Sequence, residues 1–251
     1  MTGNGGPRGT GYRAVFFDAG ETLLYPHPSF PELFAIVLER EGHPIDPAAL
    51  REAFHLVAER FTRAARGGEV WSTSPDKSRA FWGGIYVALL ERLGIPDTER
   101  LAGRLYEEFL DLANYRLFPD VEPTLSELER AGLTLGLVSN FEEWLEQLLE
   151  RLGVTRFFEV RVISGIEGVE KPDPRIFRLA LERTGASAED SVYVGDNPEF
   201  DTEPAEAVGM FGVLLDRRGR FPDHPGPRIT SLEELPALLG VSMPKLDERV
   251  T

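Results

Sequence analysis

The 251-residue sequence contains no cysteine. Disulfides, thiolate metal centres and cysteine nucleophiles are therefore excluded. Lysine is almost as scarce, with three residues against 24 arginines. The net charge is −15, which argues against nucleic-acid or anionic-membrane partners, because both need clustered cations. No apolar run approaches the roughly 18–20 residues that cross a bilayer. The four histidines, His27, His43, His55 and His224, show no metal-ligand spacing and read as surface or packing residues. Residues 1–11 are glycine-rich and lack an apolar segment, so they read as a flexible leader, neither signal peptide nor anchor. Together these absences fit a cytoplasmic monomer or homodimer. A small anionic substrate stays open, since a pocket can be locally positive inside an acidic protein.

What is present is an ordinary globular composition, 42% hydrophobic and 27% charged, enough to fill one large core or two modest ones. Ala14-Val15-Phe16-Phe17 is a continuous apolar run that ends at Asp18. So short a run suits a strand buried on both faces, as in a parallel sheet. From position 26 to 116 the pattern is helical, with segments expected at 31–41, 47–66, 75–93 and 98–113 and no strand among them. From 117 onward strands and helices alternate: helix 121–130, strand 133–138, helix 142–152, strand 160–163, helix 174–184, strand 191–194, helix 201–207, strand 209–215 and a last helix near 231–239. Alternation of this kind predicts βαβ units around a parallel sheet. The first strand has nothing to pair with unless it joins the later set. The expected organisation is an α/β domain, Rossmann-like, of residues 12–25 and 117–240 with helices on both faces. An all-helical cap of residues 26–116 is inserted into it, and 241–251 form a tail.

Four short segments fall at the ends of the expected strands: Asp18-Ala-Gly-Glu-Thr-Leu23, Val138-Ser139-Asn140, Glu170-Lys171-Pro172-Asp173-Pro174 and Val194-Gly195-Asp196-Asn197-Pro-Glu-Phe-Asp201. In an open parallel sheet these ends lie along one edge, where ligands bind. A nucleophilic carboxylate, a hydroxyl, a lysine and two further acids would meet there. That set suits phosphoryl transfer: Mg²⁺ takes hard oxygen ligands, a carboxylate attacks in line, and Lys and hydroxyl clamp the remaining oxygens. Taken singly, Asp18 could be a turn residue, Ser139 a helix cap, Lys171 a surface charge, and Asp196 and Asp201 caps of the next helix.

In this order, the four segments resemble the haloacid-dehalogenase (HAD) superfamily, branch with a helical cap after the first strand. The resemblance implies that Asp18 is nucleophile and metal ligand, with the Gly20 carbonyl and Asp196 completing the protein's share of a Mg²⁺ site. It implies that Ser139, Asn140 and Lys171 hold phosphate oxygens, and that Asp201, with Asn197 nearby, orients Lys171 and the metal's water. The sequence departs from the family at one position. The residue two after the nucleophile is usually an Asp that protonates the leaving group and later activates water. Such acid–base work is worth roughly 10²–10⁴-fold. Here it is Gly20, followed by Glu21 where the family usually has Gly.

The leading expectation is therefore a Mg²⁺-dependent phosphatase acting on a small phosphorylated molecule. A 2-haloacid dehalogenase would need neither the missing acid nor a metal, but Asp196 then has no role. A phosphonate hydrolase would use a cap lysine, and Lys77 is the only one. A degenerate scaffold that binds without turnover is the non-enzyme alternative. Of the cap aromatics Phe54, Phe61, Trp71, Phe81, Trp82 and Tyr86, one or two are expected to face the site, from the stretch 67–82.

Overall fold

The computed structural model describes residues 11–241. The expected leader and tail lie outside the described residues, apart from Gly11 and Val241. Strands β1 (Ala14–Phe17), β4 (Thr134–Ser139), β5 (Val160–Ile163), β6 (Ser191–Gly195), β7 (Phe211–Leu215) and β8 (Arg228–Ile229) form one six-stranded sheet in the order β5-β4-β1-β6-β7-β8. Every pairing in it is parallel. The central strand β1 sits between partners far along the chain, with Ala14 opposite Thr134 on one side and Ser191 on the other.

Alternate residues of β1 feed opposite cores. Val15 and Phe17 join a cluster with Val121, Leu125 and Leu128 of α6 (Val121–Arg130), Leu145, Leu148 and Leu149 of α7 (Leu145–Arg151) and Leu235 of α11 (Leu235–Leu238). Ala14 and Phe16 join Ile176, Phe177 and Ala180 of α9 (Pro174–Thr184) and Ala205 of α10 (Glu203–Ala207). Helices thus cover both faces, which is why the strands are apolar throughout. This is the Rossmann-like arrangement expected from the sequence.

Between β1 and α6 lie five α-helices: α1 (Phe30–Arg40), α2 (Pro47–Ala53), α3 (His55–Gly67), α4 (Pro75–Arg92) and α5 (Thr98–Leu110). They share their own apolar cluster around Phe34, Leu38, Leu50, Leu89 and Leu105. The structure differs from the sequence reading at four places. The single helix expected over 47–66 is broken at Phe54, whose N–H turns back to Arg51 O; its ring meets Phe30 edge-on at 5.2 Å. The helical stretch is flanked by strands that the reading missed: β2 (Leu24–Pro26) pairs antiparallel with β3 (Tyr115–Leu117). A short helix α8 (Ser164–Glu167) follows β5 directly, and the helix expected from Asp201 is preceded by a π-turn over Pro198–Thr202.

Candidate active site

The C-terminal ends of β1, β4 and β6 and the loop before α9 deliver four side chains to one point. Lys171 is the hub, its side chain only 3% exposed. Its Nζ lies 2.7 Å from Asp18 Oδ1, 2.6 Å from Asp201 Oδ1 and 3.1 Å from the Tyr193 hydroxyl. Ser139 Oγ donates to the same Asp18 Oδ1 at 3.1 Å. A buried ammonium survives only with carboxylate partners. Burial works to neutralise Lys171, but Asp18 and Asp201 outweigh it and hold its pKa well above the usual lysine value. The lysine is therefore a fixed cation beside Asp18, and the surface reading of Lys171 does not apply.

The backbone explains how Asp201 reaches this point. It is held from the π-turn, with Oδ2 accepting from Asn197 N at 3.0 Å. A Cβ on Gly195 would stand 2.3 Å from Asp201 Cγ, so only glycine lets the carboxylate pack over the strand end. Burial is the main cause that pushes the Asp201 carboxyl up, to about 7, with Asp18 and Asp196 adding to it and Lys171 opposing. Asp196 is pushed up to about 6, again chiefly by burial, with Arg220 opposing and Asp18 and Glu21 adding. Asp196 Oδ2 accepts from Arg220 at 2.6 Å. The site thus concentrates more negative charge than its cations balance.

Two expected residues also tie down the local backbone. Asn140 does not offer its side chain to solvent: Nδ2 donates to Lys171 O at 2.8 Å and Oδ1 accepts from Lys171 N at 2.7 Å. It fixes the backbone of the lysine. Asn197 caps the π-turn, Oδ1 accepting from Glu199 N at 2.9 Å. Ser139 does not cap α7, whose flanking residue Trp144 makes no side-chain cap.

Sequence reasoning missed Tyr193, which donates to Val138 O at 2.8 Å beneath Lys171; inside the apolar run of β6 it reads as core. It also missed three arginines after β7. Arg217 grips Asp120 at 2.7 Å and the Thr22 carbonyl at 2.9 Å, Arg218 pairs with Glu21 at 2.5 Å, and Arg220 takes Asp196. Their signal was the run Arg217-Arg218-Gly219-Arg220 just beyond a strand end. Glu21 itself sits at φ 59°, the left-handed region where glycine is at ease. That explains why the resemblance places Gly there.

The helical segment closes over this edge through buried contacts. Glu170 accepts from Trp71 N at 2.9 Å, Ser72 N at 2.6 Å and Ser72 Oγ at 2.6 Å. Tyr106 donates to Glu142 at 2.9 Å. Trp71, Trp82 and Tyr86 line the cavity left between, whereas Phe54, Phe61 and Phe81 do not. Lys77 is exposed and bonds Thr73, and no histidine borders the cavity. Hydrogen bonds to a charged acceptor contribute about 1.5–3 kcal/mol. Glu170→Ala is expected to lose roughly that much in urea unfolding and to speed amide exchange at Trp71 and Ser72.

The sequence profile of the haloacid dehalogenase-like hydrolases matches residues 12–209. The chain belongs to that family. Among its relatives, haloacid dehalogenase-like hydrolase domain-containing protein 3 of Danio rerio is 32% identical over 234 residues, spanning 90% of this chain and 96% of the relative. A phosphoserine phosphatase of Thermus thermophilus is 35% identical over 162 residues, 62% of this chain and 64% of that protein. The HAD-hydrolase YfnB of Bacillus subtilis, solved bound to magnesium, superposes with a TM-score of 0.75 at 22% identity over 91% of this chain and 98% of that one. The protein is thus a hydrolase with phosphatase homologues. No helix among the described residues is long and apolar enough to cross a membrane.

Proposed function

We propose that this hydrolase is a Mg²⁺-dependent phosphomonoesterase that works through a phosphorylated Asp18. The observation that carries the reading is the buried lysine bonded at once to Asp18 and Asp201. The Lys171 cation lies against Asp18 and stands ready for a phosphate oxygen, while the Ser139 hydroxyl can turn from Asp18 to the same phosphate. An Asp18 oxygen attacks phosphorus, the ester P–O bond breaks, and the alcohol leaves. Water then attacks phosphorus, releasing phosphate and regenerating Asp18. The helices of residues 30–110 exclude bulk water during these steps.

The residues present fit a hard dication. Among the described residues no three His, Cys, Asp or Glu side chains could hold a metal alone, so the proposed set is the carboxylates of Asp18 and Asp196 with the Gly20 carbonyl. All three donors are oxygen, as Mg²⁺ requires. The raised carboxyl of Asp196 marks negative charge that a cation would relieve. Bound Mg²⁺ would neutralise phosphate oxygens and polarise the phosphoryl group.

The test is phosphate release from a panel of esters with Mg²⁺ or EDTA, for the wild type and Asp18→Asn. Release that needs both Mg²⁺ and Asp18 supports the reading; release that persists in EDTA overturns it. A linked expectation follows from Asp196. Its pKa is raised to about 6, so below that pH a proton competes with the cation. The Mg²⁺-induced rise in Tm should be larger at pH 7.5 than at pH 5, as differential scanning fluorimetry will read.

A further inference from the structure

Beside Gly20, Glu21 and Asn140 lies a cavity of about 160 Å³, roofed by the helical segment. It is about the size that takes a single benzene-like ring. Nine of its seventeen lining residues are aromatic, and none is Lys, Arg or His. The charged groups in its wall are Glu21 and Glu142. Two indoles on the wall, Trp71 and Trp144, carry buried Nε1–H groups with no hydrogen-bond partner among the described residues. Trp71 is 6% exposed. Buried donors are ordinarily paired, and these two are left without a partner in the packing around the cavity.

Position 20 adds an independent constraint. With no side chain there, an alkoxide must leave without the usual acid. Aliphatic alcohols hold their proton about as tightly as water does, whereas a phenol gives it up far more readily, with a pKa of about 10. A phenolate can depart unaided. We infer that this hydrolase acts on phosphate monoesters of compact, uncharged aromatic alcohols whose ring enters the aromatic cavity. The inference rests on the phosphatase reading of Asp18 and names its substrate class.

The steps balance. The Asp18 carboxylate forms a bond to phosphorus as the aryl P–O bond breaks with its electron pair on the phenolate oxygen, which takes a proton from water on release. Water then cleaves the acyl phosphate, giving phosphate, a proton and the Asp18 carboxylate. A carboxylate or second phosphate on the leaving group would face Glu142, and Glu21 already bound to Arg218, with no Lys, Arg or His lining the wall.

The test compares acetyl phosphate, phenyl phosphate, 4-carboxyphenyl phosphate and phosphoglycolate with the full chain and Mg²⁺. Acetyl phosphate has a small leaving group that needs no acid, so its hydrolysis, lost in Asp18→Asn, reports on the phosphatase reading alone. The expected kcat/KM for phenyl phosphate exceeds that for 4-carboxyphenyl phosphate and for phosphoglycolate by at least about ten-fold. Leu110→Lys, at a half-buried wall position, should narrow the first gap to within about three-fold by raising turnover of the carboxylated ester. All three tryptophans of the chain line the cavity. Phenol should therefore change indole emission saturably, excited at the red edge of the band, and benzoate should not. Asp18-dependent acetyl phosphate hydrolysis with equal or better turnover of the carboxylated esters overturns the substrate class. No hydrolysis of any compound overturns the phosphatase reading and this inference with it.

Discussion

Asp18→Asn is expected to lower kcat by at least about 10⁴-fold, since it removes the attacking atom itself. Wild-type protein quenched during turnover should yield an acid-stable peptide phosphorylated on residue 18, and the variant should not. The substitution is nearly isosteric, and its effect on the fold should run the other way. Asp18 is among the charges that push Asp196 and Asp201 up. Removing it relieves repulsion among buried acids, while Lys171 keeps Asp201 at 2.6 Å. Without Mg²⁺ the variant should melt at or above the wild-type temperature. An inactive variant that also melts far lower would assign Asp18 a structural role instead.

Lys171→Met should be the most destabilising single change at the site. It leaves Asp18 and Asp201 buried without their shared cation, a loss of about 3–5 kcal/mol from a total that for most domains is about 5–15 kcal/mol. The pH dependence gives the cause away. Because its folded pKa is raised, Lys171 contributes its full stabilisation below the unfolded lysine value near 10.4 and loses it only as pH rises through the higher folded value. Between pH 5 and 8 that contribution is therefore constant. In the variant Asp201 loses the cation that opposes its rise, so burial and the neighbouring acids push its folded pKa further above the unfolded value. A raised acid stabilises the fold at low pH and loses that contribution as pH climbs. Urea unfolding should accordingly show a larger deficit at pH 8 than at pH 5.5. Adding Asp201→Asn to Lys171→Met should recover part of the loss, since the two residues are in direct contact.

The sheet is legible in the sequence because strands buried on both faces are written as unbroken apolar runs. Their ends then give Asp18, Ser139 and Asp196 their places, and the loop before α9 supplies Lys171. The rest is hidden for physical reasons. Tyr193 lies inside such a run, and only the hydroxyl beneath Lys171 distinguishes it from packing. Asn140 falls just beyond the end of β4, yet the backbone of Lys171 uses both ends of its side-chain amide. The link from Glu170 to Trp71 and Ser72 joins positions about a hundred residues apart, which no local pattern encodes. The strands β2 and β3 have three residues each and one of them ends in Pro26, too little for a periodic signal.

That small ribbon has a consequence for how such chains diversify. Leu24 lies opposite Leu117 and Pro26 opposite Tyr115, so the chain leaves the sheet domain and returns to it at adjacent points. Whatever is spliced between them sees its two ends already clamped, and the entropy of closing the excursion grows only with the logarithm of its length. The helices from α1 to α5 can therefore be lengthened, shortened or exchanged as a cassette without shifting the register of β1 against its neighbours. The segment can change in length while the hub around Lys171 stays where it is.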